Sequence, residues 1–450
     1  MYYITINVSK FLDSYFKIVI YKNKIIPKKE LIKMKNFLIL WANTSTVRHI
    51  NYHFTQLGEI VDYLEKIFPE EIDILDADME NLDLLQITKR LLRSQYKAVA
   101  MYITTENLRQ SINISELIKE ISPTTKIIAY GTLPVLLPEF FEKTKIDAIY
   151  INGDQEKAIE NYFKYIINED CKILSGIKLI QNGKLISTKE GEYIDFDELG
   201  FPNIEKLPVT NYFKVKNKKR IIITISRGCP YTCSHCLVQM TEGHKDRRRN
   251  INKLKEYLNK IFNEYKYVKF FSPDFTLNKQ YVIELCEMLI KNFCGIEWEC
   301  TTRMNFLDDE TMLKKMSDAG CKQISLGIET INKEELAYID KEYDVDNLEE
   351  TIKRVQKYNI KIKACIMLGI PGQSRESIIR TFSFLNMLNV EVRPTIYTPY
   401  QKMNKNMTID EIESYNRKLF HTEVEGVTQL ELLKLVYEPK KFKEILNVKE

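Results

Sequence analysis

Long apolar runs are missing from this sequence, and so is a strong excess of charge of either sign. No stretch approaches the ~18 to 20 consecutive apolar residues that a membrane-spanning helix needs. The formal net charge is only +4 over 450 residues, which gives no general affinity for nucleic acid or for an anionic membrane. We therefore expect neither a nucleic-acid partner nor a membrane partner.

A recognisable secretion signal is also lacking. Charged residues come too early in MYYITINVSKFLDSYFK, and no small-residue cleavage site follows. The nine cysteines are an odd number, and thiols or metal ligands in a reducing cytoplasm are their expected use, in place of disulfides. Glycine, proline and tryptophan are scarce, which we attribute to genome bias.

The chain is 44% hydrophobic and 28% charged, as is typical of a globular protein that buries sizeable cores. Its length predicts two or three domains. The predicted parts are an N-terminal extension (1–35), a doubly wound domain (36–170), a hairpin and linker (171–220), a partial barrel (221–400) and a helical C-terminal region (401–450).

The segment 36–168 alternates between short apolar runs and stretches with helical spacing. Continuous apolar strands separated by helices predict a parallel sheet covered on both faces, here a Rossmann-like α/β domain of flavodoxin-type strand order. The predicted strands are NFLILW (36–41), IDIL (72–75), AVAMYI (98–103), KIIAY (126–130) and IDAIYI (146–151).

Ligands of doubly wound domains bind beyond the carboxyl ends of the strands. In this sequence the loops at those ends are polar or contain glycine, as a ligand-lined crevice requires, although ordinary connecting loops are the alternative. These loops are Asn43–His53, Thr104–Asn107, Gly131–Pro134 and Gly153–Glu156.

A hairpin with an Asn-Gly turn is predicted at 176–187 and is followed by a proline-punctuated linker. Strand and helix then alternate again, with six predicted strands at 221–225, 267–271, 296–300, 323–328, 362–368 and 392–397. Six repeats are too few for a complete eight-stranded barrel, so we predict a partial (β/α)6 barrel of the TIM type with its chemistry at the carboxyl ends of the strands.

Three cysteines follow the first barrel strand directly, in SRGCPYTCSHC (226–236). Cys229, Cys233 and Cys236 have the spacing C-x3-C-x2-C, which can point three thiolates at one centre. Three protein ligands leave one iron of a 4Fe–4S cluster open to an exogenous ligand. Zinc is the alternative and needs a fourth ligand, for which His235 and His244 are candidates. The other cysteines are widely spaced, and five of them are assigned to the core: Cys286, Cys294, Cys300, Cys321 and Cys365. Cys171 is considered incidental.

This loop, placed after the first strand of a partial βα barrel, resembles that of the radical S-adenosylmethionine (SAM) enzymes. FFSPDFTLN (270–278), CTTRMNFLDDETMLKKMSDAGCKQISLGIET (300–330) and GIPGQSRES (369–377) resemble the family's later repeats, in the family's order. The resemblance implies the following contacts: Ser272 and Asp274 to the SAM amino group, Arg303 to its carboxylate or to substrate, Glu329 to the ribose, and the backbone of Gly369, Ile370, Pro371 and Gly372 to the adenine.

Arg303 and Glu329 are the catalytic residues that the resemblance implies. Pairing of Arg303 with Asp308 or Asp309 is the alternative for that residue, and Gly369 and Gly372 alternatively do no more than shape a turn. In the family, SAM binds the open iron, and an electron from the cluster cleaves the S–C5′ bond to give a radical that abstracts hydrogen from carbon. An electron donor such as flavodoxin or ferredoxin is therefore also implied.

The order of doubly wound domain, hairpin, linker and barrel resembles the radical SAM subclass with an N-terminal cobalamin (vitamin B12)-binding domain. INGDQE (151–156) stands where relatives have G-E-G-E, and Tyr130-Gly131 stands where Gly-Gly is usual. The D-x-H-x-x-G motif is absent, and surface or hydrogen-bonding roles are expected for His49 and His53. The implied candidates for the cobalamin pocket are Thr104, Thr105, Gly131, Thr132, Gly153 and Glu156.

The resemblance implies a cytoplasmic, cobalamin-dependent methyltransferase that acts on an unactivated carbon of a small metabolite, a natural-product intermediate or a peptide. One SAM would methylate cob(I)alamin, and a second would generate the substrate radical that takes the methyl group. Radical cyclisation, rearrangement or oxidation without methyl transfer is the alternative, and a non-enzymatic metal-binding module is a distant one. For HKDRRRN (244–250), both a solvated helix start and a contact to a phosphate or a substrate carboxylate stay open.

Overall fold

The structure is a computed structural model, and it describes residues 35–43, 53–207, 214–215, 218–415 and 420–448. His49 and most of the predicted N-terminal extension lie outside these residues, and His53 is the first residue of a helix. In this part of the chain, two seven-stranded sheets form the framework of the molecule.

The first sheet has the order β2-β1-β3-β4-β5-β6-β7. Strands β1 to β5 are parallel, and β6 and β7 add an antiparallel hairpin at the edge. This is the flavodoxin-type order, so the predicted fold class of this domain is confirmed. The strands are β1 (Phe37–Trp41), β2 (Ile72–Asp76), β3 (Ala98–Tyr102), β4 (Lys126–Tyr130), β5 (Ala148–Tyr150), β6 (Ile177–Gln181) and β7 (Lys184–Ser187).

Helices cover both faces of this sheet because its strands are apolar on both sides. Along β1, Phe37 and Ile39 join one hydrophobic cluster, while Leu38 and Leu40 join the other. The β6–β7 hairpin turns at Asn182 and Gly183, both with positive φ, as the Asn-Gly signal predicts. The helices are α1 (His53–Ile67), α2 (Leu84–Leu92), α3 (Leu108–Ile121), α4 (Thr132–Leu136) and α5 (Gln155–Asn168).

The second sheet has the order β16-β15-β14-β13-β12-β9-β8. Its six strands from β9 to β16 run parallel, β8 pairs antiparallel with β9, and β10 and β11 form a separate ribbon. Among the described residues β9 and β16 do not pair, so the barrel is partial, as predicted. The strands are β8 (Lys214–Val215), β9 (Lys218–Thr224), β10 (Ser226–Arg227), β11 (Arg247–Arg248), β12 (Tyr267–Phe271), β13 (Glu297–Thr302), β14 (Cys321–Glu329), β15 (Lys361–Leu368) and β16 (Glu391–Ile396).

Helices alternate with the barrel strands, and in the described part of the chain three short helices follow β16. Among the described helices, none has the length and apolar character needed to cross a membrane. The helices are α6 (Val238–Glu242), α7 (Ile251–Ile261), α8 (Lys279–Asn292), α9 (Glu310–Asp318), α10 (Lys333–Tyr338), α11 (Leu348–Lys357), α12 (Arg375–Met387), α13 (Ile409–Ser414), α14 (Gln429–Tyr437) and α15 (Phe442–Ile445).

The segment 397–415, which we call the C-terminal strap, runs from the barrel back to the first domain. Ile412 of α13 is fully buried in the hydrophobic cluster on the α3 side of the first sheet. Arg109 of α3 pairs with Asp410 and Glu413 of the strap. The strap therefore links the two domains by a second connection besides the linker.

Two of the cysteine assignments need correction. Cys286, Cys300 and Cys321 are buried, as predicted. Cys294 is exposed because it follows the end of α8, so its assignment to the core is wrong. Cys365 is only partly buried; its neighbours on β15 pack into the core, so its own side chain is on the opposite side of the sheet.

Candidate active site

The three motif cysteines lie on a loop between β10 and α6, residues 228–237, which we call the cysteine loop. Cys229 and Cys233 are partly exposed, and Cys236 is exposed. The base of the loop is held by main-chain contacts: the Cys229 amide donates to the Gly243 carbonyl at 3.1 Å, and the Gly228 amide donates to the Glu242 carboxylate at 3.1 Å. The loop therefore presents its thiols from a fixed base.

Ser272 and Asp274 follow β12 and are both buried. Asp274 Oδ1 accepts from the Thr302 hydroxyl at 2.6 Å and from the Arg303 amide at 3.2 Å, whereas Oδ2 has no partner. The Ser272 and Ser226 hydroxyls share a hydrogen bond of 2.6 Å. Burial raises the pKa of Asp274. A buried carboxylate oxygen without a partner suits a cationic ligand group such as an amine.

Arg303 follows β13 and reaches the cysteine loop. Its Nη1 donates to Cys233 Sγ at 3.1 Å, its Nη2 donates to the Glu342 carbonyl at 3.2 Å, and its guanidinium carbon is 3.9 Å from the centre of the Tyr231 ring. Its Nε is buried without a partner. The alternative partner Asp309 caps α9 instead. Arg303 is therefore a cation directly beside a motif thiol, with a donor left over for a ligand.

Glu329 ends β14 in a left-handed conformation, with φ of 63°, just after a register shift between Gly327 and Glu329. Its Oε1 accepts from the Lys341 ammonium at 2.7 Å. Burial by itself raises the pKa of Glu329, but Lys341 and His235 bring it below its usual range. Strained residues of this kind cluster at functional sites. Lys341 was not predicted from the sequence, because a lysine in IDKEYD belongs to no recognisable motif.

The turn Gly369–Gly372 follows β15, and both of its glycines have positive φ. The Gly369 amide donates to Gln373 Oε1 at 2.8 Å, and its carbonyl accepts from the Thr422 hydroxyl. Ile370 is fully buried, and Pro371 is partly exposed. The turn itself thus requires the glycines, whether or not its backbone also contacts a ligand.

The structure places these predicted residues at one end of the barrel, because each follows the carboxyl end of a neighbouring strand. A cavity of about 770 Å³ lies between the cysteine loop and the segment 333–345, and Tyr231, Arg303 and Lys341 are among its lining residues. Three thiols on one loop, a carboxylate oxygen without a partner and a buried guanidinium fit a cluster that binds a zwitterionic ligand such as SAM.

A single zinc ion fits this loop less well. Within the described residues, no three histidine, cysteine or carboxylate groups, the motif thiols included, are placed to hold one metal ion, and zinc would in addition need a fourth ligand. His244 is exposed, and one ring nitrogen of His235 is buried without a partner.

Burial raises the pKa of the Cys229 thiol to about 11, so binding as a thiolate requires the positive charge of a metal centre, whether zinc or an iron–sulfur cluster.

Thr104, Thr105, Gly131 and Thr132 lie at the carboxyl edge of the first sheet. Gly131 has φ of 105°, and a Cβ at this position would lie 2.8 Å from the Ile103 carbonyl oxygen. Thr104 and Thr132 are partly exposed and Thr105 is buried. The edge therefore retains one glycine-only backbone position and two accessible threonines.

Tyr130 occupies the position where relatives have the first glycine of Gly-Gly. Its side chain is fully buried in the first domain, and its hydroxyl accepts from Trp41 Nε1 at 2.7 Å. The tyrosine is thus accommodated within the core, and Gly131 keeps the backbone conformation that needs glycine.

Gly153 packs against the linker, and Glu156 pairs with a residue of the barrel across the domain interface. A Cβ on Gly153 would lie 2.7 Å from the Gly191 carbonyl carbon, so this glycine permits close packing of two segments. Both oxygens of Glu156 accept from Arg227, at 2.8 and 2.7 Å. A cofactor contact stays a prediction for these two residues, and this geometry disfavours it.

The arginines of HKDRRRN bind protein groups. Arg247 makes a bidentate pair with Asp154 of the first domain, at 2.7 and 2.8 Å. Arg248 donates to the main-chain carbonyl of Asp274 at 2.9 Å, and the fully buried Arg249 donates to carbonyls of the linker. Arg247 and Arg249 therefore join the barrel to the first domain and the linker, and Arg248 supports the segment after β12. The exposed Asn250 caps the start of α7, so the predicted helix start applies to the end of the stretch.

Comparison with known proteins identifies the barrel. Residues 223–385 match the family model described as the radical SAM superfamily, so the chain contains a radical SAM domain, as the cysteine loop and its following repeats predict. The curated relatives include an uncharacterized methyltransferase of Pyrococcus horikoshii, 25% identical over 82% of this chain and 81% of the relative. Another is the anaerobic magnesium-protoporphyrin IX monomethyl ester cyclase of Rubrivivax gelatinosus, 23% identical over 79% of this chain and 67% of the relative.

A solved structure extends the likeness to both domains. The radical S-adenosylmethionine methyltransferase TsrM from Kitasatospora setae, with cobalamin and a 4Fe–4S cluster bound, superposes with a TM-score of 0.66. It is 15% identical, and the match covers 82% of this chain and 77% of TsrM. The likeness establishes the fold, a doubly wound domain joined to a partial βα barrel.

Proposed function

We propose that this protein is a radical SAM enzyme that transfers a methyl group to an unactivated carbon, with cobalamin as the methyl carrier. The observation that carries the proposal is the grouping of the cysteine loop, Asp274, Arg303 and Glu329 at one end of a radical SAM domain. Cluster and SAM, when bound, supply a radical that removes hydrogen from carbon, and cobalamin supplies the methyl group.

The side chains at this end have separable tasks in the proposal. Cys229, Cys233 and Cys236 hold the cluster. The free oxygen of Asp274 accepts from the SAM amine, and the Arg303 guanidinium, fixed on the Tyr231 ring, donates to the SAM carboxylate.

Cobalamin is proposed to lie beyond the carboxyl edge of the first sheet, against Thr104, Thr105, Gly131 and Thr132. The similarity to TsrM, whose structure contains cobalamin, supports this placement. The proposed substrate is a small molecule or a peptide, and a reductant such as flavodoxin or ferredoxin supplies the electron.

The cluster assignment is tested by substituting each motif cysteine with alanine. C233A should lose the bound iron and sulfide and the ability to cleave SAM to 5′-deoxyadenosine after anaerobic reconstitution. C294A is the matched control, because Cys294 is an exposed cysteine outside the motif. If C233A retains full SAM cleavage, or if reconstituted wild-type protein contains zinc and no sulfide, the radical mechanism is wrong.

Methyl transfer is tested with SAM labelled in its methyl group with deuterium. The proposal predicts one cobalamin per chain and a product that carries three deuterium atoms. The cyclase of Rubrivivax gelatinosus among the relatives favours a second candidate, a radical cyclisation without methyl transfer. Formation of 5′-deoxyadenosine and an unlabelled product would select that candidate.

A further inference from the structure

Lys341 is a lysine buried at the carboxyl end of the barrel. Its side chain is 6% exposed, and its ammonium is 2.7 Å from Glu329 Oε1. A lysine is almost never fully buried unless it is paired, because an unpaired ammonium is costly to remove from water. The Lys341–Glu329 pair is therefore a specific feature of this end of the barrel.

Gly327 provides the space that the Lys341 ammonium occupies. It lies two residues before Glu329 on β14. A Cβ on Gly327 would lie 2.8 Å from Lys341 Nζ and 3.2 Å from Glu329 Oε1. Gly327 is not among the glycines with positive φ. Room for the ion pair, and not backbone conformation, therefore explains this glycine.

The segment that carries Lys341 is tied to the cysteine loop. The Ser234 amide of the loop donates to the Ile339 carbonyl at 3.1 Å, and the Lys341 amide donates to the Leu336 carbonyl at 3.0 Å. The position of the ammonium thus depends on both the loop and the end of α10. The Lys341 ammonium in turn helps to hold Glu329 in its left-handed backbone conformation, because a strained conformation persists only where its surroundings fix it.

We propose that Lys341 is a positioning residue that holds the Glu329 carboxylate where it accepts hydrogen bonds from the ribose hydroxyls of SAM. This inference rests on the proposed function, in which Glu329 binds the nucleoside part of SAM. Burial raises the pKa of the Glu329 carboxyl and Lys341 lowers it, so loss of Lys341 moves the pKa upward and frees the carboxyl to move, and a protonated or displaced carboxyl is a poorer acceptor. Loss of Lys341 should therefore weaken the binding of every ligand that contains adenosine.

The test compares SAM with 5′-methylthioadenosine, which has the nucleoside but not the amino acid. Dissociation constants are measured by calorimetry on the full-length protein, reconstituted anaerobically. K341M should weaken both ligands by a similar factor, about tenfold or more, which corresponds to about 1.4 kcal/mol per tenfold. K341R should restore part of the affinity, since it keeps the positive charge.

K353M is the matched control. Lys353 of α11 pairs with Glu349 at 2.5 Å, but its side chain is 63% exposed and it does not line the cavity, so both affinities should stay unchanged. The double variant E329Q/K341M should bind no more weakly than E329Q alone, because Lys341 acts through Glu329.

G327A tests the same inference with every charged group in place, which matters if K341M does not fold. The added Cβ displaces the ammonium, so both ligands should again be weakened. Unchanged affinity for 5′-methylthioadenosine in G327A or in K341M would overturn the inference, and weakening of SAM alone would assign Lys341 to the amino-acid end. If the wild-type protein binds no SAM, the proposed function itself fails, and this inference fails with it.

Discussion

Individual residues at the carboxyl edge of the first sheet are constrained more tightly than their exposure suggests. Gly131 combines φ of 105° with ψ of −161°, a region that only glycine adopts readily. The space where a side chain would begin is filled by the Ile103 carbonyl and the Tyr102 ring, both 2.8 Å away. Any substitution here meets both backbone strain and a steric overlap.

The residue-scale prediction is that G131A destabilises the protein much more than G295A. Both glycines have positive φ, but a Cβ at Gly295 meets nothing within 4 Å. G295A should cost about 1 kcal/mol from backbone strain alone, whereas G131A should cost about 3 kcal/mol or more. Urea denaturation of the two variants measures the difference. Equal losses of stability would contradict the packing described around Gly131.

The C-terminal strap contacts several separate parts of the molecule. Gln401 of the strap donates to the Ser234 carbonyl of the cysteine loop, and Ile412 is buried against the first sheet. Beyond the strap, the Thr422 hydroxyl contacts the Gly369 carbonyl. One late stretch of chain therefore borders both domains, the cysteine loop and the turn after β15.

The element-scale prediction concerns Ile412. I412A should cost about 2–5 kcal/mol, because it leaves a cavity in a cluster where Ile412 is fully buried. Cleavage within 403–415 by a dilute protease should accelerate at the same time, since the strap loses its anchor. I290A removes an isoleucine that is 49% exposed and should change stability by less than about 0.5 kcal/mol. A strap as protease-resistant in I412A as in the wild type would contradict this anchoring.

The strands and helices could be predicted from the sequence far better than the contacts between them. The parallel strands of both sheets follow from continuous apolar runs, and the helices α13 and α14 follow from spacing in the tail. Contacts such as Ile412 with the first sheet join residues that are distant in the sequence, and no local pattern encodes them.

The same distinction holds at the candidate site. The cysteine spacing marks the loop from the sequence alone, and the repeats after it mark Asp274, Arg303 and Glu329. Lys341 is recognised only once the fold brings it to Glu329. Glu156 resembles a ligand contact in the sequence because relatives have an acidic residue in the same motif, yet its partner is Arg227.

At the scale of the whole molecule, buried charges join the two domains. Arg227, two residues before the first motif cysteine, is 5% exposed and contacts Glu156 at 2.8 and 2.7 Å and Glu59 at 3.2 Å. Separation of the domains would leave these carboxylates without their partner. Breaking such a pair by removing one member is strongly destabilising, by about 3–5 kcal/mol.

The whole-molecule prediction is that both domains unfold in one transition. The two tryptophans report on one domain each, because Trp41 lies in β1 and Trp298 in β13. In W41F and in W298F, the fluorescence of the remaining tryptophan should therefore follow the far-ultraviolet circular dichroism of the same variant.

R227M should lower the stability and separate the two fluorescence transitions. R90M, which removes a more exposed pair with Glu80, should shift both transitions by no more than about 1 kcal/mol. Transitions that already differ with Arg227 in place would show that the interface does not couple the domains.

The interface charges also affect how the first domain can fold while the chain is being translated. Arg227 is 71 residues downstream of Glu156, so the first domain emerges while the cation that neutralises its interior acids has not yet been made. Domains generally fold in the order in which they are translated, but the interior acids of this one acquire their cation only when β10 is added. The interior acids of the nascent first domain therefore stay incompletely neutralised until the residues that precede the first motif cysteine are translated.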